Sequence, residues 1–187
     1  MKYYSTALLN KVKQHLKNGG VIAYPTEYCF GLGCDPFNQK AINQLIRTKR
    51  RNQNKGLIVI AGKVEQLDGL IKPLSTKEQK HVGQYWPGAY SIICPIAKSA
   101  PKKLAGKFLT KIAVRVTTHK LVIQLCTHLG YPLVSSSANI SGLHPAKTYR
   151  DCYRIFGHKN IIVLPGNTNF AKRPSSIVDL NTGKTYR

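Results

Sequence analysis

A chain of 187 residues, 42% of them apolar, is long enough for one well-cored domain and too short for more than two small ones. Lys and Arg number 29 against seven Asp and Glu; the formal charge of +22 attracts polyanions without choosing among them, and a metal cage of several carboxylates is hard to build from so few acids. Five cysteines with no C-x-x-C pair argue against structural zinc or a disulfide framework, and neither a signal peptide nor an apolar run of membrane-spanning length is legible, so a soluble, cytoplasmic protein is expected.

The periodicity predicts a helix over 5–18, with Leu8, Val12 and Leu16 on one face and Gly19-Gly20 as its stop. A short buried strand, Val21 to Tyr24, ends at Pro25, and a loop begins at Thr26. Ala41 to Lys49 reads as a helix with Asn38 as a candidate cap. A basic loop then precedes the strand Leu57 to Ile60. Further helices are expected over 64–71 and 75–85, the second with the capping-box spacing of Ser75 and Glu78. Tyr90 to Ile96 and Ile112 to Val116 read as strands. A helix over 121–129 closes at Gly130, and Leu133 to Ser135 is a strand running into a serine-rich turn. Thr148 and Asp151 can cap one more helix, and Ile161 to Leu164 and Ile177 to Leu180 read as the last strands. Strands alternating with helices predict an α/β fold, and the closely spaced strands predict a mixed sheet with helices packed on it.

Ligands in open α/β sheets gather where loops leave strand ends, and the unusual polar residues fall in such places. Pro25 to Gly33 carries a proline and two close glycines, which suits either a backbone approach to a ligand or an ordinary tight turn. In it Thr26 offers a hydroxyl, and Glu27 suits a base, a partner for a lysine, or a cap. Lys49-Arg50-Arg51 and Lys55 place four cations within seven residues, which fits a polyphosphate clamp or a helix C-terminus favoured by its dipole. Ser135 to Gly142 is dense in hydroxyls and carries Asn139; it could bind a carboxylate or phosphate, or satisfy its own backbone. Arg115, in a strand, must find an anion or solvent, and Ser175 lies in a second hydroxyl cluster. The chain has no P-loop, no G-x-G-x-x-G, no H-E-x-x-H and no G-x-S-x-G, and its six histidines are scattered.

These segments, in this order, resemble the YrdC-like family, and within it the short bacterial threonylcarbamoyl-AMP synthases. The likeness is carried by Ile22 to Glu27, Phe30 to Pro36, Lys49, Arg51, Lys55 to Ile58, Trp86-Pro87-Gly88, Ala113 to Thr117, Pro132 to Gly142, Pro165-Gly166 and Pro174-Ser175. It implies a single YrdC-like domain over 1–187, with a concave, basic cleft over a twisted, open, mixed sheet with flanking helices. It implies that L-threonine, bicarbonate and ATP, the last with Mg2+, become threonylcarbamoyl-AMP and pyrophosphate. Partner proteins would then modify an adenosine beside the tRNA anticodon. It carries Thr26, Arg115 and Ser137 to threonine binding, and Lys49, Arg51, Lys55, Ser135, Asn139 and Ser175 to the nucleotide. Lys49 and Arg51 are the expected catalytic pair, and no protein metal ligand is implied. Tyr28 stands where many relatives have a second threonine, and Ile60 where longer relatives have a histidine. The alternative class is a non-catalytic RNA-binding module, favoured by the charge alone; weak, salt-sensitive binding of tRNA or other RNA is expected in either case.

Overall fold

A computed structural model describes residues 3–108, 110–157, 159–169 and 171–186. Helix α1 spans Thr6–Lys17, with Ser5 accepting from the Leu8 amide as its cap. β1 (Val21–Pro25) and β2 (Phe30–Gly33) form an antiparallel hairpin. Then follow α2 (Gln39–Lys49), β3 (Ile58–Ala61), α3 (Thr76–Val82), β4 (Tyr90–Pro95) and β5 (Lys111–Val116). The chain continues through α4 (Lys120–Leu129), β6 (Leu133–Ser137), α5 (Tyr149–Phe156), β7 (Ile161–Val163) and β8 (Ser176–Asp179). The strands form one mixed sheet in the order β7-β1-β2-β6-β3-β5-β4-β8.

The caps read from the sequence are in place. Asn38 accepts from Ala41, Ser75 and Glu78 form a reciprocal capping box, Thr148 accepts from Asp151, and Gly130 closes α4 at φ 84°. Three expectations need correction. The helix expected over 64–71 is only a 3-10 turn, Val64–Leu67, because Asp68 leaves helical geometry at ψ 138°. The glycine-rich stretch after Thr26 contains a buried strand, β2. The serine run is not a turn at first: β6 carries it to Ser137, paired to β2 and β3.

That last correction decides where the polar side chains point. Register sets Gly31 opposite Ser137, Ile58 opposite Ser135, and Ile60 opposite Arg115. Alternation along each strand therefore puts Gly31, Ser135, Ser137, Ile58, Ile60 and Arg115 on one face. Ser91 of β4 joins them, since its neighbour Ile92 pairs with Val114. Helices α1 and α4 pack on part of that face, against Ile22, Tyr24, Ile60 and Leu133. The opposite face carries the larger core, where Ala23, Leu32, Val59, Val114 and Val134 meet Ile42 and Leu45 of α2 and Cys152 and Phe156 of α5.

Candidate active site

The uncovered part of the first face is a cavity of about 320 Å³. Its floor is Ile58, Ile60, Gly31, Ser135, Ser137, Ser91 and Arg115. Its walls include Thr26, Tyr28, Cys29, Arg51, Pro145, Pro174 and Ser175. Loops separated by more than a hundred residues meet here because β6 inserts between the N-terminal hairpin and β3.

Each wall is held by its own hydrogen bonds. Thr26 donates its hydroxyl to the Cys29 carbonyl at 2.7 Å, and its amide donates to the same oxygen at 3.2 Å, which tightens the β1–β2 turn. Arg51 Nη2 donates to the Gly56 carbonyl at 2.7 Å, which folds the basic loop back on itself and brings the guanidinium to the cavity. Ser175 and Ser91 have their hydroxyls 3.1 Å apart across the β8 side. Lys147 sits over the Tyr28 ring at 5.2 Å.

Arg115 is almost wholly buried, and its environment resolves the ambiguity of Glu27. Arg115 Nε donates to the Gly88 carbonyl at 2.8 Å, and Nη2 lies 2.7 Å from Glu27 Oε1. Burial pulls the guanidinium below its usual range, and the Glu27 carboxylate opposes that. The contact is ionic rather than a linear hydrogen bond: neither Arg115 Nη2 nor Glu27 Oε2 has a hydrogen-bond partner among the described residues.

Of the residues singled out in the sequence, Thr26, Arg51, Arg115, Ser135, Ser137 and Ser175 line the cavity together. Lys49, Asn139 and Lys55 are not among its lining residues. Lys49 is buried at the end of α2. Its ammonium donates to the carbonyls of Ser137 and Asn139 and to Asn139 Oδ1 at 3.0 Å. Asn139 Oδ1 also accepts from the Ser137 hydroxyl at 2.6 Å, so both residues stand directly behind the lining. The Lys55 side chain is exposed, and only its carbonyl joins the loop, 3.4 Å from Arg51 Nε. Sequence reasoning missed Ser91, a small hydroxyl residue in a mostly apolar strand. Its signal was the register with Arg115, which only strand pairing reveals.

Chemically, the cavity offers two guanidiniums and a row of hydroxyls on a rigid sheet, a donor set that receives carboxylate and phosphate oxygens. A mixed α/β sheet with such a face defines the class, and the comparisons define the family. The chain belongs to the Sua5, YciO and YrdC family, described as telomere recombination, which it matches over residues 14–187. It is 50% identical over 175 residues to threonylcarbamoyl-AMP synthase of Methylobacillus flagellatus, covering 93% of this chain and 96% of that one. It is 48% identical over 174 residues to the protein of the same name from Photorhabdus laumondii, covering 92% and 91%. Two solved structures share the fold. P. abyssi Sua5 in complex with L-threonine superposes with a TM-score of 0.88 at 24% identity, covering 98% of this chain. E. coli YciO superposes at 0.81 and 20% identity, covering all of this chain and 94% of the other. The chain spans 54% of the length of that Sua5.

Proposed function

We propose that the chain is an L-threonylcarbamoyl-AMP synthase, converting L-threonine, bicarbonate and ATP to threonylcarbamoyl-AMP and pyrophosphate. The observation that carries this is the joining of Arg51, Arg115 and the Ser135–Ser137 face in one cavity. It stands in a chain about half identical, over nearly its full length, to a protein named threonylcarbamoyl-AMP synthase.

The threonine amine adds to the carbon of bicarbonate, water leaves, and a carbamate forms. A carbamate oxygen then attacks the α-phosphorus and pyrophosphate departs. The second step asks the protein mainly for alignment and for neutralisation of phosphate charge. Arg115, fixed on the floor, suits the threonine carboxylate, with Thr26 and Ser137 as hydroxyl partners. Arg51 enters from the opposite wall and suits the phosphates, with Ser135 and Ser175 on the same path. Lys49 acts on the nucleotide through Asn139 and Ser137, which it holds. The lining donors are hydroxyls and guanidiniums, with no carboxylate among the described lining residues. That set fits a magnesium ion carried by the ATP phosphates and water, which supplies charge neutralisation there.

The product is a mixed anhydride, so a partner that transfers the threonylcarbamoyl group to tRNA must follow. Such a role belongs in the cytoplasm. Among the described residues no helix is long and apolar enough to cross a membrane. The test is pyrophosphate release. It should require L-threonine and bicarbonate together, and equal release with ATP alone overturns the reading.

A further inference from the structure

We propose that Glu27 is a positioning residue for this reaction: from the β1–β2 turn it braces the end of β5 and so aims Arg115 into the cleft. The proposal rests on the synthase reading above and adds a residue that does not line the cavity.

The first argument is topological. Glu27 lies in the turn between β1 and β2, and Arg115 lies on β5. In the sheet, β6 and β3 stand between β2 and β5. No direct strand pairing therefore joins the β1–β2 turn that carries Thr26 to the strand that carries Arg115. Glu27 spans that gap with one oxygen. Its Oε1 accepts from the Thr117 hydroxyl at 2.6 Å and lies 3.3 Å from the Thr118 amide and 2.7 Å from Arg115 Nη2. Thr117 Oγ1 in turn accepts from the His119 amide at 3.0 Å, at the residue that begins α4. His119 Nε2 then lies 3.2 Å from the Asn167 carbonyl. Glu27's own carbonyl accepts from Ala171 at 2.9 Å. The buried carboxylate thus ties the hairpin turn to the end of β5 and the approach to α4, while Glu27's main-chain carbonyl holds the segment before β8.

The second argument concerns which property of Glu27 matters. Its charge opposes the binding of another carboxylate beside Arg115, so charge alone would weaken threonine binding. Its hydrogen bonds to Thr117 and Thr118 fix where β5 ends, and Gly88 fixes the other side of the guanidinium. Framing, not charge, is the useful contribution. Glutamine keeps an oxygen acceptor for the Thr117 hydroxyl and the Thr118 amide and removes the charge, whereas alanine removes the frame.

The experiment compares Glu27→Ala, Glu27→Gln and Thr117→Val with the unaltered chain. It reads the KM for L-threonine and for ATP by pyrophosphate release, and L-threonine binding by calorimetry. Glu27→Ala should raise the threonine KM about tenfold or more, with the ATP KM within about twofold. Glu27→Gln should restore the threonine KM to within about threefold of the parent. Thr117→Val, which keeps the side-chain shape, should move the threonine KM in the same direction as Glu27→Ala by a smaller factor, and it decides the matter if Glu27→Ala does not fold. A purely structural role would shift both KM values together, and that result overturns the proposal. So does a threonine KM unchanged in Glu27→Ala, or a glutamine variant as impaired as alanine. An unaltered chain that neither binds L-threonine nor releases pyrophosphate overturns the synthase reading and this proposal with it. An active parent matched by Glu27→Ala overturns this proposal alone.

Discussion

The Lys49 ammonium lies 2.9 Å from the carbonyl oxygen of Asn139 and 3.0 Å from its side-chain oxygen, and it also donates to the Ser137 carbonyl. A lysine at the end of α2 therefore holds the exit of β6, and Ser141 returns the favour by donating its amide to the Lys49 carbonyl at 2.9 Å. The loop that leaves β6 after Ser137 is built around a buried cation.

This arrangement predicts an alkaline limit to activity. Burial, and secondarily the nearby Arg51 charge, pull the Lys49 ammonium down from 10.5 to about 8. Only the protonated form donates to all three oxygens, so kcat/KM should be full below about pH 8 and fall as pH rises through that value. The stability effect has the opposite sign. Between about pH 8 and 10.5 the unfolded chain holds the lysine proton more firmly than the folded one, so this residue's contribution makes stability rise with pH in that window. Lys49→Met removes both trends. Denaturant melts of parent and variant across pH 7–10 and their pH–rate profiles check the two signs together. An alkaline limb that persists unchanged in a folded, active Lys49→Met chain contradicts the assignment.

Most of the fold was legible because its helices announce themselves twice, by apolar spacing and by caps. Ser5, Asn38, Ser75 and Thr148 each cap the helix they were read to begin, and Gly130 ends the one it follows. What stayed hidden depended on pairing. Phe30–Gly33 has two glycines in four residues and no alternation, so nothing local distinguishes it from a loop. It becomes a strand because β1 and β6 supply partners on both sides. Ser136 and Ser137 read as a turn by composition for the same reason. The site's members were legible as polar residues near strand ends. Their convergence was not, since it follows from β6 running between β2 and β3, and no local pattern encodes that order.

The hidden strand carries its own prediction. A Cβ on Gly33 would lie 2.6 Å from Tyr24 Cε1 and 2.6 Å from the Val134 carbonyl oxygen. The first can move little, since Tyr24 is fully buried with its hydroxyl 3.3 Å from that same carbonyl. The second is backbone in the middle of the sheet. Gly33→Ala should therefore destabilise the fold by about 1–3 kcal/mol through overpacking. Glycine is present here for close packing and not for a ligand. A chemical melt measures it, and a midpoint equal to the parent's overturns the packing account.

The last prediction separates two adjacent arginines. Arg51 lines the cavity and is anchored by its bond to the Gly56 carbonyl at 2.7 Å. Arg50 is exposed, is not among the lining residues, and ends α2 in the left-handed region at φ 50°, so its backbone bears the strain. Losing a charge-assisted phosphate contact costs about 1.5–3 kcal/mol, roughly ten- to hundredfold, so Arg51→Ala should raise the KM for ATP by that factor with the circular dichroism unchanged. Arg50→Ala should leave it within about twofold, since an exposed cation outside the site contributes little. Arg50→Gly adds an independent readout. Glycine adopts the left-handed conformation without the Cβ clash, so this variant should be more stable by about 1 kcal/mol and melt a few degrees higher at unaltered ATP KM. Equal losses of ATP use in Arg50→Ala and Arg51→Ala would mean that the loop acts as a diffuse basic patch. Lower stability in Arg50→Gly would place the α2 terminus in another conformation.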